Sequence, residues 1–156
     1  MPHFGAKLLG LFAIALLLAA CNSILPRVSL SPHELALREL AAQQAVWQSK
    51  AIDDYVITIE RQCFCPGGQI TFTVLDGIVQ SATQEDGQPL RPDQVPQQPK
   101  TVPELFALVS GLPADAAVKV SYDEQFGFPS LIGVDPIPNA IDDEYTIVVH
   151  EFKPTS

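Results

Sequence analysis

The sequence predicts an α+β domain in which two helices pack on an antiparallel sheet of about six strands, in the order α-β-β-β-α-β-β-β. Two segments, at about 32–49 and 102–110, carry apolar residues at helical spacing. Each is followed by three segments in which apolar and polar residues alternate, as in half-buried strands. Because short turns join consecutive strands, these are expected to pair antiparallel, and segregated helices and strands are typical of the α+β class.

Residues 1–20 have the pattern of a secretory signal peptide. Lys7 precedes an uncharged run of thirteen residues that ends in two alanines. A helix needs about 20 apolar residues to cross a membrane, whereas the apolar region of a signal peptide has about 7–15. The sequence therefore predicts a cleaved signal, a tether at 21–30, and a single α+β domain at 31–156.

Leu18-Ala19-Ala20-Cys21 resembles the lipobox of bacterial lipoproteins. The resemblance implies cleavage before Cys21, a diacylglyceryl group on its sulfur and an acylated amino terminus. Several acyl chains hold a protein on a membrane far better than one, since each buried methylene contributes about 0.8 kcal/mol. The expected location is the bacterial cell envelope, and Asn22 favours the outer membrane where the host has one. The alternative is an ordinary signal peptide with an incidental cysteine, or a short membrane anchor.

The charge of the chain bears on its partners. The formal net charge is −9, and cleavage of the signal removes Lys7 and no acidic residue. An acidic surface repels nucleic acid, and no basic stripe interleaved with aromatic residues is present. The sequence therefore predicts no nucleic-acid binding.

The first helix begins with a strong capping signal. Ser31 suits the N-cap, Pro32 the first helical position, and Glu34 completes a capping box. The residues expected on one face are Leu37, Leu40, Ala41, Gln44 and Trp47. Trp47 is interpreted as a core anchor.

Three strands are predicted after the first helix. The first runs from about Asp54 to Cys63, where a proline and two glycines end the ladder. The second and third flank Asp76-Gly77, which is a hairpin signal. The alternating apolar residues of the first two strands are Tyr55, Ile57, Ile59, Ile70, Phe72 and Val74.

A proline-rich loop at 88–100 leads to the second half. Thr101 and Glu104 repeat the capping-box pattern, and Gly111 is expected to end the second helix. Three further strands are predicted at about 118–122, 131–135 and 145–150.

Two motifs of the predicted domain resemble those of a known family. A strand ending in Cys63-x-Cys65 is followed by the turn motif Tyr122-Asp123-x-x-x-Gly127-Phe128-Pro129. The combination resembles a bacterial family of secreted proteins and lipoproteins that is classed only as a domain of unknown function. The resemblance implies an envelope location and brings no assigned activity.

Cys63 and Cys65 are the first candidate site. On one strand they would face the same side with α-carbons about 6.5–7 Å apart, at the upper limit of disulfide geometry. Because paired thiols tend to be oxidised outside the cytoplasm, a disulfide that locks the turn is expected. Thiolates that bind a soft metal such as copper(I), and a redox-active bridge, stay open as alternatives. His33 and His150 are widely separated in the sequence, which disfavours a Cys2His2 site.

The turn motif at 122–129 is the second candidate. Asp123 suits a bond to the backbone of its own turn, Gly127 a positive φ, and Pro129 a fixed exit, so folding alone explains the motif. The alternative is a binding surface formed by Tyr122, Asp123, Phe126 and Phe128.

No catalytic constellation is evident in the sequence. Four loop acids, Asp135, Asp142, Asp143 and Glu144, lack the glycine and ligand spacing of a calcium loop and are interpreted as solvated. No nucleophile elbow, zinc-protease motif or phosphate-binding glycine loop occurs. The sequence therefore predicts neither an enzyme nor a cofactor.

The function that these observations favour is a non-catalytic binding or interaction module. It would be an envelope lipoprotein held on the membrane through lipidated Cys21, with an envelope protein as its partner. The alternative is a periplasmic metal-binding or thiol-redox protein that uses Cys63 and Cys65.

Overall fold

A computed structural model describes residues 32–137 and 140–155. The predicted signal peptide, the lipid attachment at Cys21, the tether and the cap at Ser31 lie outside the described residues. None of the described helices is long and apolar enough to cross a membrane.

The described chain folds as two helices and six strands, in the predicted order. The elements are α1 (Pro32–Ser49), β1 (Tyr55–Gln62), β2 (Gln69–Leu75), β3 (Ile78–Gln84), α2 (Val102–Ser110), β4 (Ala117–Tyr122), β5 (Pro129–Asp135) and β6 (Tyr145–Pro154). The strands form one sheet in the order β3-β2-β1-β6-β5-β4, and every neighbouring pair is antiparallel. The predicted α+β class is therefore confirmed.

Strand alternation divides the sheet into a covered and an open face. On β1, the central residues Tyr55, Ile57 and Ile59 are buried, as are Phe72 beside them on β2 and Ile147 on β6. These side chains form one hydrophobic core with both helices. The face without helices is mainly polar, with threonine hydroxyls of β1 and β2 in contact across the strands.

An aromatic cluster joins α1 to the sheet. Trp47 packs edge-on against Tyr55, Phe128 and Phe152, with ring centroids 5.8, 6.2 and 5.6 Å away. Trp47 therefore anchors α1 in the core, as predicted.

The buried face of α1 is narrower than the sequence suggests. Leu40 and Trp47 are buried, but Leu37 is 40% exposed, and Ala41 and Gln44 are exposed. The helix is held along the line of Leu40 and Trp47, where it meets the sheet and the turn before β5.

Capping of α2 differs in one bond from the predicted box. The Thr101 hydroxyl accepts a hydrogen bond from the Glu104 amide at 3.3 Å, but the Glu104 carboxylate accepts from the Lys100 amide at 2.7 Å. The buried hydroxyl of Tyr55 accepts from the Val102 amide at 3.1 Å and so ties the start of α2 to the central strand.

Candidate functional site

A groove of about 720 Å³ lies at the end of β1, β2 and β3 that carries the cysteine turn. The turn after β1 and the residues after β3 form its walls, and the proline-rich segment 88–100 returns across it. Its lining residues are Arg61, Cys65, Pro66, Gly67, Gly68, Gln69, Ile70, Gln84, Glu85, Asp86, Leu90, Gln94, Pro96, Gln97 and Gln98. The lining combines amides, apolar side chains, two acids and one cation.

Arg61, near the end of β1, is that cation. Its guanidinium carbon lies 4.5 Å from the centre of the Tyr145 ring, and its Nη1 donates to the Gln97 carbonyl at 3.0 Å. Its Nε is buried without a hydrogen-bond partner. Among the described residues, no carboxylate lies within 4.0 Å of this guanidinium. A half-buried cation without an anion is unusual, since burial costs free energy that a partner normally offsets.

Gln98 provides a second unsatisfied donor. Its side-chain Nε2 is also buried without a partner. Gln97 and Gln98 line both the groove and a smaller pocket of about 290 Å³ on the α2 side, and Arg61 and Tyr145 line that pocket too. The Gln97-Gln98 stretch therefore lies between two openings that share Arg61.

Burial explains the state of Tyr145. It raises the pKa of the phenol above its usual value, and the nearby Arg61 charge acts in the opposite direction. The ring therefore stays neutral at physiological pH and stacks with the cation.

A disulfide joins Cys63 and Cys65 in the wall of the groove. Their α-carbons are 5.1 Å apart, closer than expected for two residues of one strand. The reason is that β1 ends at Gln62, so both cysteines lie in the bend that follows. Phe64 between them is 89% exposed. A Cβ at Gly67 would lie 2.8 Å from the Arg61 carbonyl oxygen, so a glycine lets the turn close against β1.

The motif at 122–129 forms a folded turn rather than a surface aromatic pair. The Asp123 carboxylate accepts from the amides of Gln125 and Phe126 at 2.9 and 2.7 Å. Phe128 is only 2% exposed and packs in the core cluster, so its assignment to an exposed binding surface does not fit. Phe126 is partly buried against that cluster. The turn interpretation accounts for these contacts.

Tyr122 occupies a different place from the groove. It lines a pocket of about 480 Å³ between α1, α2 and β4, together with Glu39. Burial, and to a lesser extent the charge of Glu39, raises the pKa of Tyr122 to about 12. Neither Tyr122 nor Asp123 is among the residues that line the groove.

The four acids that were expected to be solvated are Asp135, which ends β5, and three residues of the β5–β6 loop, and they are not uniformly solvated. Asp142 and Glu144 are exposed, as predicted, whereas both carboxylate oxygens of Asp143 and one of Asp135 are buried without a partner. In the described part of the chain, no group of three or more acidic, histidine or cysteine side chains is arranged to hold a metal ion.

His150 lies on the open face, at a bulge of β6. Its Nε2 is 2.7 Å from a carboxylate oxygen of Glu60, which also accepts from Gln62 at 2.9 Å. These bonds, that of Gln62 first, lower the pKa of Glu60. His150 therefore has a hydrogen-bond partner on the neighbouring strand, which agrees with its interpretation as a strand residue.

Sequence reasoning missed Arg61, Tyr145 and the Gln97-Gln98 stretch. A signal was present, because Arg61 is the only basic residue between Lys50 and Arg91 and comes at the end of an alternating strand. Arg61 lies near Gln97 only because segment 88–100 folds back across the groove. No local sequence pattern predicts that path of the chain.

The comparisons with known proteins identify one relationship. Residues 39–154 match the model of a family described as one of unknown function, DUF6174. No curated protein matches the chain.

Proposed function

The chain belongs to this family of unknown function, and we propose that it is a non-catalytic binding module held on a bacterial envelope membrane by lipid on Cys21. The observation that carries the binding role is the groove beside Arg61. It combines a volume of about 720 Å³ with two buried nitrogens, on Arg61 and Gln98, that lack acceptors. Unsatisfied buried donors cost free energy, which a ligand with matching acceptors would recover.

The envelope location is supported by the lipobox-like segment and by the disulfide. Leu18-Ala19-Ala20-Cys21 follows a short apolar run, and Cys63 and Cys65 are oxidised as in proteins outside the cytoplasm. The partner proposed for the groove is an envelope protein.

Site-specific photo-crosslinking in cells tests the binding role. A photoreactive residue in place of Gln84 lies at the groove, while the same residue in place of Gln80 lies on the same strand outside it. We expect a discrete crosslinked product from position 84 that is lost when R61Q is added. Equal products from both positions, or a product that R61Q leaves unchanged, would rule out the groove as the site.

Metabolic labelling with a fatty acid tests the anchor. We expect the wild-type protein to incorporate label and to fractionate with membranes. Cys21→Ala should lose both properties because the sulfur that would carry the diacylglyceryl group is absent. A Cys21→Ala protein that labels and fractionates like the wild type would disprove the anchor.

A thiol-redox role is the second candidate. It is favoured by one observation, that Cys65 lines the groove while the turn around it is exposed. Mass spectrometry of cell extracts, with free thiols alkylated before lysis, distinguishes the two roles. A purely structural bridge leaves Cys63 and Cys65 unalkylated in all growth conditions, whereas a redox role requires a reduced, alkylated fraction.

A further inference from the structure

Resting on the proposed function, we infer that the groove binds an extended peptide that presents a single carboxylate to Arg61. Nothing in the described chain supplies this anion. The chain has 18 acidic against 9 basic residues, yet no described carboxylate lies within 4.0 Å of this guanidinium. Acids line the groove at Glu85 and Asp86, but among the described residues none pairs with Arg61.

The geometry of Arg61 favours a carboxylate as the missing partner. Tyr145 covers one face of the guanidinium, and Gln97 takes a bond from Nη1. The edge of the guanidinium formed by Nε and Nη2 has no partner in the described chain. The two parallel donors of such an edge match the two oxygens of a carboxylate. Because Nε is enclosed, we expect the neighbouring Gln97-Gln98 stretch to move outward when the ligand binds.

The rest of the groove favours a peptide over a sugar acid. The large groove is lined by five glutamines and by Ile70, Leu90 and prolines, which suit the amides and side chains of an extended chain. None of its lining residues is aromatic, and the nearby Tyr145 ring already stacks with Arg61. Glu85 and Asp86 lie across β2 from Arg61, roughly two strand spacings of about 4.8 Å away. They would repel a second anionic group, so one carboxylate is expected.

NMR of the arginine Nε–Hε groups provides a direct test. The protein is ¹⁵N-labelled, kept whole and studied in detergent, and the probe is N-acetyl-alanyl-alanine with a free carboxylate. We expect the Arg61 signal to shift saturably with this probe and not with its neutral C-terminal amide. Arg91 is the internal control, because its Nε already faces Asp93 at 3.3 Å on an exposed surface. Its signal should not move with either probe.

Further probes identify the source of the carboxylate. A blocked glutamate, whose only carboxylate is on its side chain, tests an internal acidic residue against a peptide C-terminus. A response to either peptide probe supports the proposal. Glucuronate represents sugar acids, and a stronger response to it than to both peptides would overturn the peptide assignment.

Variants separate charge from geometry. R61Q should weaken binding of the responsive peptide, followed at backbone amides of the groove, by about tenfold or more. R61K keeps the charge but loses the planar pair of donors, so its affinity should fall between those of wild type and R61Q. Backbone amide signals of R61Q outside the groove, unchanged from wild type, show that its loss of binding does not reflect misfolding. An equal response to carboxylate and amide probes, or none at Arg61, would overturn this inference. The crosslink from position 84 would still decide the proposed function.

Discussion

Gly127 is held by two independent constraints. Its φ is +78°, which is unfavourable for any residue with a Cβ. A Cβ there would also lie 2.9 Å from the Gln43 carbonyl oxygen and 2.9 Å from the Cβ of Val46, both on α1. The turn before β5 and the helix therefore approach more closely than any other residue would allow.

Gly127→Ala is expected to destabilise the protein more than Gly87→Ala. Gly87 has a similar φ of +80°, but no atom lies within 4 Å of the position that a Cβ would take there. Both variants incur about 1–2 kcal/mol for the left-handed conformation. Gly127→Ala adds about 1–3 kcal/mol for overpacking against α1. Urea unfolding measures both, and equal losses would mean that the contact with α1 is unimportant.

Residue patterns predicted the turns well where the residues of a short motif determine its backbone conformation by themselves. Asp76 and Gly77 have φ of +51° and +71°, as the two-residue hairpin requires. The Asp123 turn likewise follows from its own side-chain acceptor. Phe128 was harder to place, because its burial depends on Trp47 and Phe152, which come from distant parts of the sequence.

Among the elements, α1 shows where periodicity misleads. The spacing of Leu37 and Leu40 is compatible with one buried face, yet only Leu40 enters the core. Apolar spacing gives the direction of a face but not its width, which is set by what packs against the helix. Here the neighbours reach only the line of Leu40 and Trp47.

Leu40→Ala and Leu37→Ala form a matched pair that tests this difference. Leu40 is 5% exposed, so its truncation should cost about 2–5 kcal/mol in the free energy of unfolding. Leu37 is 40% exposed, and its truncation should cost less than about 1 kcal/mol. Thermal and urea unfolding of the two variants would give similar losses if the predicted wide face were correct.

For the molecule as a whole, the six strands were predictable but their order was not. Alternation identifies a strand from its own residues, whereas pairing of β1 with β6 joins residues such as Glu60 and His150, 90 positions apart. The groove was missed for the same reason. Arg61, Gln97 and Tyr145 meet only because the sheet order and the return of segment 88–100 bring them together.

Hydrogen exchange should follow this order. The amides of β1 and β6, at the centre of the sheet, should exchange most slowly, because only global unfolding exposes them. Amides of the edge strands β3 and β4 should exchange faster through local opening. Protection in β3 equal to that in β1 would contradict the observed order.

The central position of β6 also affects when the fold can form. A chain made from its amino terminus presents β1, β2 and β3 early, but one side of β1 has no partner until residues 145–154 have been added. Until then the unpaired edge of β1 and its apolar side chains remain exposed, so the chain can be cleaved by proteases or can aggregate. Closing so long an intervening segment is slow compared with forming a hairpin. The last-made strand is therefore the one that completes the sheet, and the vulnerable period lasts until it docks.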